Sequence, residues 1–162
     1  LALADRLLPG SERVAWSGDP LAVVMLVKGT RGPAEESGGA ALSGADGEAA
    51  AKALSALGFD ADSLFACVSR PVDSATDEAP VARLRLTVEA VDPSVIVALD
   101  AVAAEDVALA VGISVPPFGV AVRVAGRRIV AVDGLEASLA DEGRKRRVWN
   151  QLRSVTPVEP VW

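Results

Sequence analysis

The stretch Leu21-Ala-Val-Val-Met-Leu-Val27 is an unbroken apolar run, with turn-forming residues before it and a glycine-rich segment after it. A short apolar run bounded in this way is typical of a β-strand that is buried on both faces of a sheet. Two similar runs follow at residues 63–69 and 94–99. These three segments predict the centre of a sheet that is covered on both sides.

Helices are predicted between the strands, because apolar residues recur there at helical spacing. They cover residues 46–57, 80–91, 101–111 and 135–152, with a short helix at 1–8. Asp100 is the expected N-cap of the third and Gly112 its expected C-terminal residue. Two more short strands are predicted at residues 120–124 and 128–132. This alternation predicts an α/β fold, a three-layer α/β/α sandwich with a mainly parallel sheet of four to five strands.

A chain of 162 residues has the length of one domain. We expect an N-terminal helical segment at residues 1–17, the α/β domain at 18–155 and a proline-rich tail at 156–162. Residues 28–47 contain six glycines, so a long loop without regular structure is predicted there. Loops of this length usually carry a function or are remnants of one.

Two residue types restrict the chemistry that the chain can perform. It has no His, which excludes a Ser-His-Asp triad and a His metal ligand. Its one cysteine, Cys67, excludes an internal disulfide and a cysteine cluster, and it is expected to be a buried, inert thiol. No apolar run approaches the ~18 residues that a membrane span needs. We expect no cofactor and a cytoplasmic location.

The net charge of −6 is unevenly distributed, since eight Lys and Arg face five Asp and Glu after residue 118. Contacts to a phosphate or to an acidic partner are therefore expected from the C-terminal third. The candidate basic residues are Arg127, Arg128, Arg144, Lys145 and Arg147. An ordinary solvated helix face is favoured over contact with DNA, and the same residues could equally meet an acidic partner protein. Trp16 and Trp162 are candidate interface residues, whereas Trp149 is expected in the core.

Several short motifs follow one another along the chain. The first are Lys28-Gly-Thr-Arg-Gly32, Glu35-Glu36, and Gly39-Ala-Ala-Leu-Ser-Gly44 with Gly47. The later ones are Ser69-Arg-Pro71, Pro93-Ser-Val-Ile-Val-Ala-Leu-Asp100 and Arg144-Lys-Arg-Arg-Val-Trp149. Their order resembles that of the uracil-DNA glycosylase superfamily, especially its iron–sulfur bacterial branches. The resemblance covers about residues 18–155. It implies the three-layer α/β/α fold of those enzymes.

The resemblance also implies that the catalytic groups are missing. Such glycosylases stack the extruded uracil on an aromatic ring, activate water with an acidic or Asn group and stabilise the leaving anion with a His. The corresponding positions here hold Leu42, Gly29 and Gly134, and Ser69 stands at the position of a cluster cysteine. The degenerate motif positions are Lys28, Gly29, Gly32, Glu35, Glu36, Leu42, Asp133 and Gly134.

Glu35 and Glu36 could form a carboxylate pair for acid–base chemistry or magnesium binding. A solvated loop is the favoured interpretation of both. The glycines are interpreted as structural remnants, because the P-loop pattern for phosphate binding is absent.

The apolar strand, the degenerate glycine loop and the pattern Arg147-Val148-Trp149 in the last helix are also similar to features of the ψ subunits of the DNA polymerase III clamp loader. Those subunits resemble the glycosylases in fold, lack their catalytic groups and bridge the clamp loader to the χ subunit. This similarity implies a non-catalytic adaptor in DNA replication or repair, whose partner is the clamp loader or a χ-like subunit. The alternatives are a diverged uracil-DNA glycosylase, a single-stranded-DNA-binding repair protein and a small-ligand-binding α/β domain.

Overall fold

The computed structural model describes residues 1–72 and 78–156, and it shows an α/β protein built around a mixed six-stranded sheet. The strands are β1 Ser17–Gly18, β2 Val24–Lys28, β3 Leu64–Val68, β4 Val95–Ala98, β5 Val122–Val124 and β6 Arg127–Ala131. The helices are α1 Ala2–Asp5, α2 Pro33–Glu36, α3 Ala45–Ala56, α4 Glu78–Val91, α5 Ala101–Val111, α6 Leu135–Ser138 and α7 Glu142–Leu152. Short 3-10 turns occupy Gly10–Glu12, Ala61–Ser63 and Arg153–Val155.

The strand order is β1-β3-β2-β4-β6-β5. Strands β3, β2, β4 and β6 are mutually parallel, while β1 and β5 pair antiparallel at the two edges. The chain runs from β2 to β3 on one side and then to β4 on the other, so the order reverses between β2 and β4. In open α/β sheets, ligands bind in the crevice beyond the carboxyl ends of the strands at such a point.

Helices cover both faces of the sheet. One face packs against α3, α6 and α7 and receives side chains such as Leu26 and Val97. The other packs against α4 and α5 and receives Met25, Val27 and Ile96. Neighbouring strand residues point to opposite faces, so the central strands are apolar throughout. The predicted α/β class is confirmed, but the sheet has six strands instead of four to five, since β1 was not foreseen.

The longest predicted helix is two helices in the structure. Asp141 separates α6 from α7, and its side chain accepts a hydrogen bond from the backbone N–H of Arg144 at 2.9 Å, which caps α7. Trp149 was expected in the core, and this is wrong, because its side chain is 37% exposed. Residues 28–47 are also more regular than predicted, since α2 lies within them and α3 begins there.

The N-terminal segment packs on the domain. Ala4 is buried, and Asp5 Oδ1 accepts a hydrogen bond at 3.1 Å from the buried guanidinium of Arg83 on α4. The Arg83 guanidinium also donates to the carbonyl of Val68, at the end of β3. Trp162 and the rest of the tail from residue 157 lie outside the described residues.

Trp16 contributes to the core. Its ring stacks on the fully buried ring of Phe65 with a centroid separation of 5.3 Å and an interplanar angle of 25°. Such a pair combines apolar burial with a favourable ring geometry. Trp16 therefore has a packing role in the structure.

Replacing Phe65 by Ala is expected to lower the free energy of unfolding by about 3–5 kcal/mol, because it leaves a cavity beneath Trp16. Urea denaturation followed by circular dichroism measures this loss. Leu21→Ala is the control, since Leu21 is 84% exposed, and it should change stability by less than about 0.5 kcal/mol. Equal effects of the two substitutions would contradict the packing described.

Candidate functional site

The candidate site lies at the carboxyl edge of the sheet, where the strand order reverses. Lys28, the last residue of β2, has a side chain only 5% exposed. Its Nζ lies 3.0 Å from Glu35 Oε2, 2.6 Å from Asp46 Oδ2 and 3.1 Å from Glu136 Oε2. These three carboxylates come from α2, α3 and α6. We call this group of four side chains the Lys28 cluster.

The protonation of the cluster follows from burial and hydrogen bonding. Burial alone lowers the pKa of Lys28, but hydrogen bonds to Asp46, Glu35 and Glu136 outweigh it and raise this pKa above its usual value. Burial raises the pKa of Glu35, but hydrogen bonds from Gly32, Lys28 and Leu42 outweigh this effect, so the pKa of Glu35 lies below its usual value. Lys28 is therefore a stable cation and a poor general base.

Glu35 organises the glycine-rich segment around itself. Its Oε2 accepts a hydrogen bond from the backbone N–H of Gly32 at 2.9 Å, and its Oε1 accepts one from Leu42 at 2.8 Å. The prediction of a solvated Glu35 is wrong, because the short helix α2 turns its side chain inward toward Lys28. Glu36 is exposed, as predicted. The two carboxylates therefore do not act as a pair.

Leu42 stands where the resemblance implies a stacking aromatic ring. It is 9% exposed, and it packs in the core on the α3 side of the sheet. Its backbone has a φ of +53°, a left-handed conformation that is uncommon outside glycine. The Glu35 carboxylate and the close approach of Gly47 to the Leu42 carbonyl hold this turn.

A cavity of about 290 Å³ opens beside Lys28 at the switch of strand order. Its lining includes Asp100, Val102, Glu136 and the backbone around Gly134. Asp100 is the N-cap of α5, as predicted, since its Oδ1 accepts a hydrogen bond from Ala103 N at 2.8 Å. Its Oδ2 accepts another from Gly29 N at 2.9 Å.

Gly29 has no room for a side chain. A Cβ at this position would clash with the Asp100 carboxylate and lie 2.6 Å from Cβ of Val102. The resemblance implies a water-activating acid at this place. The close approach of α5 to β2 excludes one while the backbone keeps this geometry.

Asp133 and Gly134, at the other degenerate motif, follow the end of β6. Asp133 N donates to the Gln151 side chain at 2.9 Å, and Arg147 Nη1 donates to Asp133 Oδ2 at 3.2 Å. Gly134 has a φ of +109°, which disfavours any L-residue. A cavity of about 140 Å³ lies between them and Arg144.

The candidate basic residues lie at opposite edges of the sheet. Arg127 and Arg128 begin β6 at the amino edge, and Arg127 pairs with Asp92 at 2.6 Å. Arg144, Lys145 and Arg147 lie on α7, which contacts the carboxyl end of β6 through Gln151. The structure therefore does not bring them together as one phosphate-binding patch.

A second buried polar group lies at the end of β3. Ser69 Oγ donates to Asp106 Oδ2 at 2.7 Å, and Arg70 Nη2 lies 2.7 Å from Asp106 Oδ1. Burial raises the pKa of the neighbouring Cys67 thiol to about 12, so it is not a nucleophile at neutral pH. Within residues 1–72 and 78–156, no group of three or more acidic, His or Cys side chains is arranged to hold a metal ion.

Sequence reasoning missed Asp46, Glu136 and Asp106 as members of these clusters. Asp46 carried a signal, since it opens a predicted helix at the end of the glycine-rich segment. Glu136 and Asp106 carried none, because folding alone brings them beside Lys28 and Ser69.

No protein-family model matches the chain, and none of the curated proteins searched matches it significantly. In the part of the chain that is described, no helix combines the length and apolar character needed to cross a membrane. What the site does must therefore follow from its own residues. Three carboxylates around one ammonium leave it with excess negative charge, which disfavours a phosphate ligand.

Replacing Lys28 by Met is expected to cost about 3–5 kcal/mol of stability near neutral pH, because Glu35 and Asp46 stay buried without a cation. Chemical denaturation measures this cost. Lys52→Met on the exposed face of α3 is the control and should change stability by less than about 0.5 kcal/mol.

The cost of Lys28→Met should depend on pH in a defined direction. The pKa of Glu35 is lower in the folded protein than in the unfolded chain, where it is about 4.3, so ionised Glu35 stabilises the fold above that pH. This stabilisation is lost as the pH falls through the folded-state pKa of Glu35. The difference between wild type and variant should therefore be constant from about pH 6 to 9 and shrink below about pH 4. A difference that grows on acidification would contradict the assignment of charges.

Gly47→Ala and Gly143→Ala form a matched pair in two helices. Alanine favours a helix over glycine by about 1 kcal/mol. At Gly47, however, the added Cβ clashes with the Leu42 carbonyl, so a net loss of about 1–3 kcal/mol is expected. At Gly143 the nearest atom is Oδ1 of the capping Asp141 carboxylate at 3.3 Å, which needs to give by only a few tenths of an ångström, so the melting temperature should be unchanged or raised. Stabilisation by both substitutions would refute the close approach of Leu42 to α3.

Proposed function

We propose that this protein is a non-catalytic adaptor of glycosylase-like fold that serves DNA replication or repair in the cytoplasm. Its proposed partner is a clamp loader or a χ-like subunit. The ordered motifs that resemble the uracil-DNA glycosylases support the fold. The helices on both sheet faces and the parallel central strands agree with it.

The observation that carries the proposal is the Lys28 cluster. It lies at the edge where an α/β protein of this topology binds ligands. Its lysine, Glu35 and Asp46 are buried and bonded to one another or to backbone groups, so they stabilise the glycine-rich segment. Groups committed in this way are not free to activate water or stabilise a leaving anion.

The neighbouring positions agree with this interpretation. Gly29 cannot carry an acid, and Leu42 packs in the core without offering a flat ring to a base. The excess of carboxylates around Lys28 also disfavours a DNA phosphate beside this residue. A retained scaffold with an inert crevice fits a protein that works through its outer surface.

Two measurements test the proposal together. The purified protein is incubated with single- and double-stranded oligonucleotides that contain uracil, and free base is quantified by mass spectrometry. It is also mixed with the purified clamp loader and χ-type subunit of its own organism and analysed by size-exclusion chromatography with light scattering. We expect no base release above a protein-free blank and stoichiometric co-elution with one of these proteins at micromolar concentration.

Each part of the proposal has its own opposing result. Base release that depends on the protein would overturn the non-catalytic assignment. Separate elution from both candidate partners would overturn the adaptor assignment. A shift of a labelled single-stranded oligonucleotide by the protein alone would favour the alternative of a single-stranded-DNA-binding repair protein.

A further inference from the structure

An apolar groove runs between α3 and the α6–α7 pair, on the outer side of one helical layer. It encloses about 350 Å³. One wall consists of Ala45, Ala49 and Ala53, spaced four residues apart on one face of α3. The other wall consists of larger side chains: Leu135, Leu139, Val148, Trp149 and Leu152. The groove exists because three alanines face these larger residues and leave the space between the helices unfilled.

Trp149 is the unusual residue of this groove. It is 37% exposed, whereas the neighbouring Val148 is buried. Tryptophan is enriched among the residues that dominate protein–protein binding energies, because its large ring gains much when it is covered. An aromatic ring at the rim of an aliphatic groove is a suitable anchor for an incoming side chain.

The charges beside the groove are mainly positive on the α7 side. Lys145 lines it, and Arg146 and Arg153 lie three residues before and four residues after Trp149. The opposing acids are Glu142 on α7, which pairs with Lys145 at 2.8 Å, and the exposed Asp141 at its N-cap. On α3, the exposed Glu48 and Lys52 offset each other. The surroundings therefore attract acidic groups.

We propose that this groove binds an acidic amphipathic helix of a partner protein, with aliphatic side chains seated between α3 and α7 and carboxylates facing Arg146 and Arg153. This inference rests on the proposed adaptor function and adds to it the surface and the chemistry of the partner. Helix-in-groove recognition of this kind uses apolar anchors at positions i, i+3, i+4 and i+7.

Two other occupants fit less well. A second copy of this chain, docked symmetrically, would place the basic α7 of one molecule against that of the other, which is repulsive. A single-stranded nucleic acid needs successive aromatic platforms for its bases, and the groove lining includes one aromatic ring, Trp149. An acidic helix with an aliphatic face complements both the apolar walls and the basic residues of the groove.

A peptide-display selection tests the proposal without a known partner. A library of random peptides of about 16 residues, roughly four helical turns, is selected on the purified full chain. The same library is counter-selected on an Ala49→Phe variant, whose added ring fills the groove. We expect enrichment of peptides with aliphatic residues at i, i+3, i+4 and i+7 and with net negative charge.

The enriched peptide is then labelled, and its affinity is measured by fluorescence anisotropy. Trp149→Ala and Arg146→Glu should each weaken binding about tenfold or more, while Arg123→Glu, an exposed charge reversal on β5, should change it less than about twofold. Melting temperatures confirm that each variant is folded. The two groove variants act through different chemistry, so misfolding of one leaves the test intact.

Three outcomes would overturn the proposal. They are a selection without enrichment, enrichment of basic or aromatic-rich peptides, and peptides that bind the Ala49→Phe variant as well as the wild type. Displacement of the peptide by a single-stranded oligonucleotide, or dimerisation that Trp149→Ala abolishes, would point to the other occupants. The proposed function is tested with named replication proteins, so a negative result there is distinguishable from a groove that binds no acidic helix.

Discussion

The burial of the Lys28 ammonium is the constraint on which the rest of this structure depends. An isolated charge in the interior is unfavourable by several kcal/mol, so it must be paired and hydrogen-bonded. Its partners come from α2, α3 and α6, and these contacts tie the glycine-rich segment and the later part of the chain to the central strand. Glu35 extends the same network to the backbone of Gly32 and Leu42. The carboxyl edge of the sheet is therefore a structural junction.

This junction changes where function is to be sought. In most open α/β sheets the crevice at the switch of strand order holds the reacting groups. In this protein a cavity remains there, but the charged side chain beside it already has its partners. An exposed aromatic side chain and exposed basic side chains lie instead on α7, where Trp149 borders a groove.

The sequence predicted the central strands and several helix ends, because their causes are local. Apolar runs give strands wherever both faces are covered, and Asp100 and Gly112 act within one turn of their own helix. The burial of Glu35 could not be predicted, since it depends on a lysine seven residues away and on backbone groups that fold around it. The break at Asp141 had a local signal, but leucines on both sides of it fitted one continuous helix. Trp149 was misplaced because Val148 and Leu152 form the buried face of α7 and leave the adjacent Trp149 partly exposed.

The tight contact at Gly29 also limits which folded variants can be reached from this sequence by a few substitutions. Because the start of α5 packs directly against the backbone of Gly29, a catalytic carboxylate there requires a shift of α5 in addition to the substitution itself. Such a paired change is rarely reached through intermediates that still fold. A carboxylate at this position is thus separated from the present chain by a steric barrier that replacement of Gly29 alone does not cross. Changes of surface residues face no comparable steric barrier, so this scaffold tolerates new contacts far more easily than a new carboxylate at residue 29.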